Sequence, residues 1–250
     1  MSQQSQAVAF SELHQKYNPV VLYNIWDAGS ALAVAQAGAK AIATGSWSCA
    51  AAQGYQDGEA MPFSSLLHTV QRIASVISLP LTVDFETGYG AARRDNLSAL
   101  LQAGVVGINV EDQQLGLSAL NGVREQCEIL NSLRQEAASQ GIALFINART
   151  DVFLQQPDAK QHPALMAEVK KRLTAYQNAG ASGFFVPGLS DVGLIAELCD
   201  VSALPVNIMA SGLTPPLAEL TAAGISRLSY GPYPYVGLME TLKQQARALY

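Results

Sequence analysis

Short runs of Val, Ile, Leu, Phe and Ala alternate with longer helix-like stretches along the chain, and four of those stretches close on an Ala-Gly step just before the next apolar run (Ala37-Gly38, Ala103-Gly104, Ala179-Gly180, Ala223-Gly224). Glycine ends a helix cheaply because it enters the left-handed region without a Cβ clash, so each step reads as a helix stop followed by a strand. The pattern predicts strands near 20–24, 41–44, 81–84, 106–110, 143–148, 183–186, 205–208 and 225–229. Helices are predicted over Phe63–Val76, Asn121–Ser139, His162–Asn178 and about Tyr235–Leu249, among others. Eight β-α repeats in 250 residues predict a single (β/α)8 TIM-type barrel spanning 1–250. No G-x-G-x-x-G follows the first strand, which argues against a doubly wound dinucleotide-binding sheet.

Composition narrows the function classes. Charged residues make up only 14 % of the chain and the net charge is −5, so no basic surface for nucleic acid is expected. The start, M-S-Q-Q-S-Q-A-V-A-F, has neither the basic nor the apolar segment of a signal peptide, and no apolar run reaches membrane-spanning length. A soluble cytoplasmic protein is expected. Cys49, Cys127 and Cys199 are widely spaced and unpaired by motif, which reads as ordinary thiols rather than a disulfide framework or zinc site.

Chemistry in such barrels gathers where strands end at their C-termini. The run L-T-V-D-F-E-T-G-Y-G (81–90) stops at Asp84 and Glu86, and the next strand ends in Glu111 and Asp112. Four carboxylates at one mouth repel one another unless a cation neutralises them, and an all-oxygen set suits Mg²⁺ or Mn²⁺. Arg149 follows the fifth strand and can pair bidentately with a substrate carboxylate. The small-residue turn Gly45-Ser46-Trp47 offers backbone N–H groups to an anion. Asn207 joins this substrate-binding set from the seventh strand, and Tyr89, in T-G-Y-G, is a candidate proton donor. His14, His68 and His162 and all the lysines fall away from the predicted rim, so neither a Ser-His-Asp arrangement nor a Schiff-base lysine is expected. Plainer readings stand beside these. Asp84 and Glu86 can be turn or cap residues, Arg149 can form a structural ion pair with Asp151 or Glu111, Trp26 and Trp47 can be packing, and Asp57 can be a surface turn.

The motifs N-I-W-D-A-G-S-A, A-T-G-S-W-S, V-D-F-E-T-G-Y-G, G-I-N-V-E-D-Q, N-A-R-T-D-V-F and G-F-F-V-P-G, in this order over most of the chain, resemble the isocitrate lyase and phosphoenolpyruvate mutase superfamily. Its third-strand motif is D-x-D-T-G-Y-G, with Glu86 here in place of the second aspartate. The resemblance implies an α/β barrel assembled as a dimer or tetramer, often exchanging its eighth helix. It implies a Mg²⁺ site at Asp84, Glu86 and Glu111, partly through water, with Asp57 as an acid beside the metal and its waters. Gly45, Ser46 and Trp47 then form the carboxylate-binding turn and Arg149 the substrate-binding arginine. One departure is large. The family's lyases carry K-[KR]-C-G-H after the fourth strand, whereas this chain reads D-Q-Q-L-G-L-S-A-L-N-G, in which only Ser118 and Asn121 can stand in, and Pro187 occupies the position of a mutase histidine. The expected activity is Mg²⁺-dependent C–C cleavage or decarboxylation of a small 2-oxo or 2-hydroxy carboxylate through an enolate. The alternatives are phosphonomutase-type P–C chemistry and non-catalytic binding of a 2-oxo acid.

Overall fold

A computed structural model describes residues 2–250. Eight parallel strands follow one another around a barrel: β1 (Val20–Leu22), β2 (Ile42–Ala43), β3 (Leu81–Asp84), β4 (Gly107–Glu111), β5 (Phe145–Arg149), β6 (Gly183–Phe185), β7 (Val206–Met209) and β8 (Arg227–Ser229). Closure comes just beyond β1, where Ile25 N–H donates to Ala43 O at 2.8 Å and Gly45 N–H to Ile25 O at 3.1 Å. The ten helices of the described residues are α1 (Gln3–Glu12), α2 (Ala28–Gln36), α3 (Ser46–Ala52), α4 (Phe63–Ala74), α5 (Arg93–Gln102), α6 (Val123–Ser139), α7 (His162–Asn178), α8 (Val192–Val201), α9 (Leu217–Ala222) and α10 (Tyr233–Arg247).

The expected (β/α)8 architecture and its eight strands are therefore present. All four Ala-Gly steps behave as predicted, with Gly38, Gly104, Gly180 and Gly224 at φ between +92° and +96°. Two helices escaped the sequence reading, α1 and α3. The Gly45-Ser46-Trp47 segment expected as a turn is the start of α3, with Gly45 as its N-cap.

Strand residues alternate between two cores. Those facing outward, such as Ile42, Val83, Ile108, Ile146, Phe184, Ile208 and Leu228, pack on Leu66, Leu97, Leu130, Val169 and Ile195 from the surrounding helices. Those facing inward at the N-terminal end of the barrel, Val20, Leu22, Ala41, Ala43 and Phe145, form a second cluster with Ala7 and Phe10 of α1. Phe10 plugs this end. Its ring meets Phe145 edge-on at 5.5 Å and His14 at 4.7 Å, and His14 stacks on Phe145 at 4.0 Å. Gly107 is required beneath it, since a Cβ there would lie 2.6 Å from the Phe10 ring. His14 Nδ1 bonds the Phe10 carbonyl at 2.8 Å, and burial, with a smaller push from Arg227, lowers the imidazole to about 3, so it stays neutral.

One side of the barrel is left open. Val21 and Tyr23, beside β1, are exposed and border a hollow of about 720 Å³ against Ala33, Val34 and Ala37. Helix α10 buries only Pro234. No helix among the described residues is long and apolar enough to cross a membrane.

Phe10→Ala removes the plug and opens a cavity lined by rings, so it is expected to cost about 3–5 kcal/mol. Urea unfolding followed by circular dichroism checks this through the midpoint at unchanged slope.

Candidate active site

The C-terminal mouth of the barrel contains a cavity of about 190 Å³. Its polar wall is formed by Asn24, Asp57, Asp84, Asn109, Arg149 and Ser229, and its apolar wall by Trp47, Leu154, Phe185, Met209 and Pro232. Gly45 and Ser46 complete the rim. The structure thus brings Asp57, Asp84, Arg149, Gly45, Ser46 and Trp47 of the expected site residues to one cavity. Asn207 lies one layer lower, 1 % exposed, where its Oδ1 accepts from Ser229 Oγ at 3.3 Å.

Register accounts for the charges. Strand β4 runs one residue further than predicted, so Glu111 ends it and faces Arg149 at the end of β5 as a direct cross-strand neighbour. Arg149 Nη1 meets Glu111 Oε2 at 2.8 Å, while its Nε and Nη2 hold both oxygens of Asp151 at 2.6 and 2.9 Å. The ion pair and the pocket position coexist. Burial works against the guanidinium, but Glu111 and Asp151 outweigh it and hold Arg149 charged well above its usual range. Asp112 turns the other way, as strand alternation requires. It accepts from Asp151 N–H, Arg172 Nη1 and Tyr176 OH at 3.0, 2.8 and 2.7 Å, so only three of the four carboxylates expected at the mouth belong to it.

Glu86 and Glu59 form a reciprocal clamp. Gly58 N–H and Glu59 N–H donate to the Glu86 carboxylate at 3.0–3.3 Å, while Thr87 N–H, Thr87 Oγ and Tyr89 N–H donate to Glu59 Oε1 at 2.6–2.9 Å. Glu59, Glu86 and Tyr89 all carry positive φ, between 50° and 60°, a conformation costly for residues with a Cβ and retained here by the clamp. The clamp fixes Asp57 at the pocket. Tyr89 stands behind it, packed on Phe63, and burial and the Glu86 charge push the phenol up. The residue does not line the cavity.

Among the described residues no three His, Cys, Asp or Glu side chains converge into a ready-made metal cage. The donor set nevertheless fits a hard cation held partly through water. Asp84 Oδ2 accepts from Ser46 N–H at 3.2 Å, but its Oδ1 is buried with no partner, an acceptor that calls for one. Burial and the neighbouring Asp84 charge raise Asp57, and the same two causes raise Glu86 to about 7. Burial raises Glu111 to about 8 against the opposing pull of Arg149.

The segment after β4 folds as a small hairpin, with Gln113 bridged to Leu120 and Gln114 N–H donating to Ala119 O at 2.9 Å. Ser118 is exposed on it. Asn121 is committed elsewhere, its Nδ2 donating to Gln126 Oε1 at 3.0 Å. The ion pair of Arg149 with Asp151 or Glu111 allowed by the sequence is present with both partners, whereas sequence reasoning missed Glu59, Asn109 and the wall residues Leu154 and Phe185. Inward alternation along β4 signals Asn109; nothing local marks Glu59.

An eight-stranded barrel whose C-terminal mouth gathers carboxylates around one arginine defines the chain as an enzyme of the isocitrate lyase and phosphoenolpyruvate mutase class. It belongs to the phosphoenolpyruvate phosphomutase family, whose model matches residues 10–250. An uncharacterized protein of Mycobacterium tuberculosis is 30 % identical over 97 % of this chain and 89 % of its own length. The 2-methylisocitrate lyase of Escherichia coli is 29 % identical over 92 % of this chain and 79 % of its own. A Burkholderia cenocepacia crystal structure, provisionally described as a phosphonomutase, is 41 % identical, covers both chains fully and superposes with a TM-score of 0.96. The fold is shared more distantly, at 18 % identity and TM-score 0.82 over 99 % of this chain and 87 % of the other, with a phosphonopyruvate hydrolase solved with oxalate and Mg²⁺.

Glu86 and Glu111 keep protons in the folded chain that the unfolded chain has already released near pH 4.5. Between pH 6.5 and 8 the folded state therefore binds more protons, and stability falls as pH rises. Below pH 6.5 the neutral His14 works in the opposite direction, since the unfolded imidazole takes up a proton. Thermal unfolding without divalent cations is expected to show a falling melting temperature from pH 6.5 to 8, and the double variant Glu86→Gln, Glu111→Gln a flatter profile.

Proposed function

We propose that the chain is a Mg²⁺- or Mn²⁺-dependent enzyme that cleaves a C–C bond or decarboxylates beside the carbonyl of a small 2-oxo or 2-hydroxy carboxylate, through an enolate. The observation that carries this reading is the unpartnered, buried Oδ1 of Asp84 on the same 190 Å³ cavity as Arg149. Asp84 would hold the ion directly, with Glu86 and Glu111 acting through water. The ion supplies Lewis acidity that stabilises negative charge on the carbonyl oxygen. Arg149, with Nε committed to Asp151, offers its remaining N–H groups to the substrate carboxylate. Asp57, whose affinity for protons is raised by burial and by Asp84, is placed at the pocket edge to exchange a proton with the substrate. Trp47, Leu154 and Phe185 keep water from the reacting carbons. Gly45, Ser46 and Trp47 shape the carboxylate end, although the Ser46 N–H already serves Asp84. The small cavity and the oxalate-bound relative both favour a compact acid.

Likeness to the Burkholderia cenocepacia protein favours P–C chemistry as a second reading. Phosphorus NMR of reactions with phosphonopyruvate separates it from C–C cleavage. Three free thiols, two of them buried, support a cytoplasmic location.

A ligand at about 100 times its Kd stabilises the native state by about 2.7 kcal/mol, or roughly 5–10 °C for a chain of this size. Oxalate is expected to raise the melting temperature by that amount only with Mg²⁺ present, and Asp84→Ala to abolish the shift. An equal shift in Asp84→Ala defeats the metal assignment.

We also propose a homo-oligomer in which α10 of one copy covers the β1 hollow of another. Leu238 and Leu242 lie one turn apart on α10 and are 52 and 57 % exposed, and the hollow beside Val21 and Tyr23 is mainly apolar. Light scattering is expected to give a dimer or tetramer for the full chain and a monomer after removal of residues 236–250.

A further inference from the structure

Below the pocket floor lies a fully buried cation. Arg227 is 0 % exposed, and its Nε donates to Ser229 Oγ at 3.0 Å and its Nη2 to Asn109 Oδ1 at 3.2 Å. Its Nη1 has no partner, and among the described residues no carboxylate comes within ion-pair distance. A buried charge without a counter-ion costs several kcal/mol, so its retention calls for an anion supplied from elsewhere. Burial lowers the guanidinium to about 9, with Asp84 opposing, which leaves it cationic near neutrality.

Asn109 connects this charge to the cavity. Its Oδ1 accepts from two donors below, Arg227 Nη2 and Asn147 Nδ2, the latter at 2.9 Å. Two donors on one oxygen fix the amide, since the flipped amide would set N–H against N–H. The Nδ2 group must then point away from Arg227, and Asn109 lines the cavity. Among the described residues no acceptor reaches that Nδ2, and it is not sealed from solvent. A donor at the floor of a 190 Å³ pocket, backed by a cation one hydrogen bond away, suits an anionic oxygen and no donor group.

We propose that Asn109 is a substrate-contacting residue that donates from the pocket floor to an anionic oxygen of the substrate, and that Arg227 is a positioning residue that holds its amide donor-side up. This rests on reading the pocket as a small oxo-acid site and adds its selectivity: the inner end of the substrate is a carboxylate or developing oxyanion, not an amide, amine or alkyl end. Ser229 lies on the same floor, taking the Arg227 Nε–H and passing its own proton to Asn207.

The test compares oxalate with oxamate, in which one carboxylate becomes an amide, by calorimetry on the Mg²⁺-loaded protein. Asn109→Asp is nearly isosteric and still accepts from Arg227 and Asn147, but it presents an acceptor where the wild type presents a donor. The wild type is expected to prefer oxalate. Asn109→Asp is expected to weaken oxalate at least tenfold and to shift the preference towards oxamate. Arg227→Met, which frees the amide to turn over, is expected to reduce the oxalate-to-oxamate ratio, and Arg227→Lys to restore part of it. A purely structural role would weaken both ligands by the same factor, so an unchanged ratio in Asn109→Asp overturns the proposal while leaving the oxo-acid reading intact. Absence of Mg²⁺-dependent oxalate binding by the wild type overturns both. Should Asn109→Asp fail to fold by circular dichroism, the ratio in Arg227→Met decides, and no change there is equally fatal.

Discussion

The mouth of the barrel depends on the pairing of Arg149 with Glu111 and Asp151. Asp57, Asp84, Glu86 and Glu111 crowd one end of the barrel, and desolvation there favours protonation of Asp57, Glu86 and Glu111. A single guanidinium, gripped bidentately by Asp151 and singly by Glu111, is the nearest compensating charge. The grip also fixes geometry, because the fork that neutralises Glu111 aims the remaining N–H groups at the cavity. Polar pairing therefore holds the wall and leaves the mouth with more carboxylates than cations.

Much of this was legible in the sequence because it follows from period and punctuation. Four Ala-Gly steps placed helix ends, and carboxylates at strand ends placed the mouth. The errors arose where one residue of register changes everything. Ending the fourth strand at 110 leaves Glu111 and Asp112 both as loop acids, whereas ending it at 111 sends them to opposite sides. Asp112 then becomes the buried anchor of Arg172 and Tyr176. Helix α3 went unseen because S-W-S-C-A-A-A carries no cap and no amphipathic pattern long enough to detect. The Glu59 clamp was invisible for a different reason. Positive φ at three non-glycine residues is imposed by contacts between loops, and no local composition encodes it.

The segment after β4 departs from the K-[KR]-C-G-H pattern of the lyases that the chain's motifs resemble. It has neither cysteine nor lysine nor histidine, its one exposed hydroxyl is Ser118, and Asn121 is spent on Gln126. Among the residues lining the cavity, Asp57 is the carboxylate whose affinity for protons is raised, by burial and by the Asp84 charge. A family fold thus supplies the binding frame, while the acid-base chemistry is set by which side chains line that frame.

The plug at the other end has a bearing on synthesis. Helix α1 is made before the other described elements, yet its anchors come much later: Gln3 bonds Val105 O across 102 residues and Gln4 accepts from Ala143 N–H across 139. At roughly 5–20 residues per second the ring of Phe10 waits on the order of 5–30 s before its partners Val106 and Phe145 exist. During that interval a short helix that cannot be stable alone carries an unburied aromatic. Helix α1 is therefore open to chaperones and to neighbouring nascent chains during that interval, and the barrel floor is completed late although its helix precedes all eight strands.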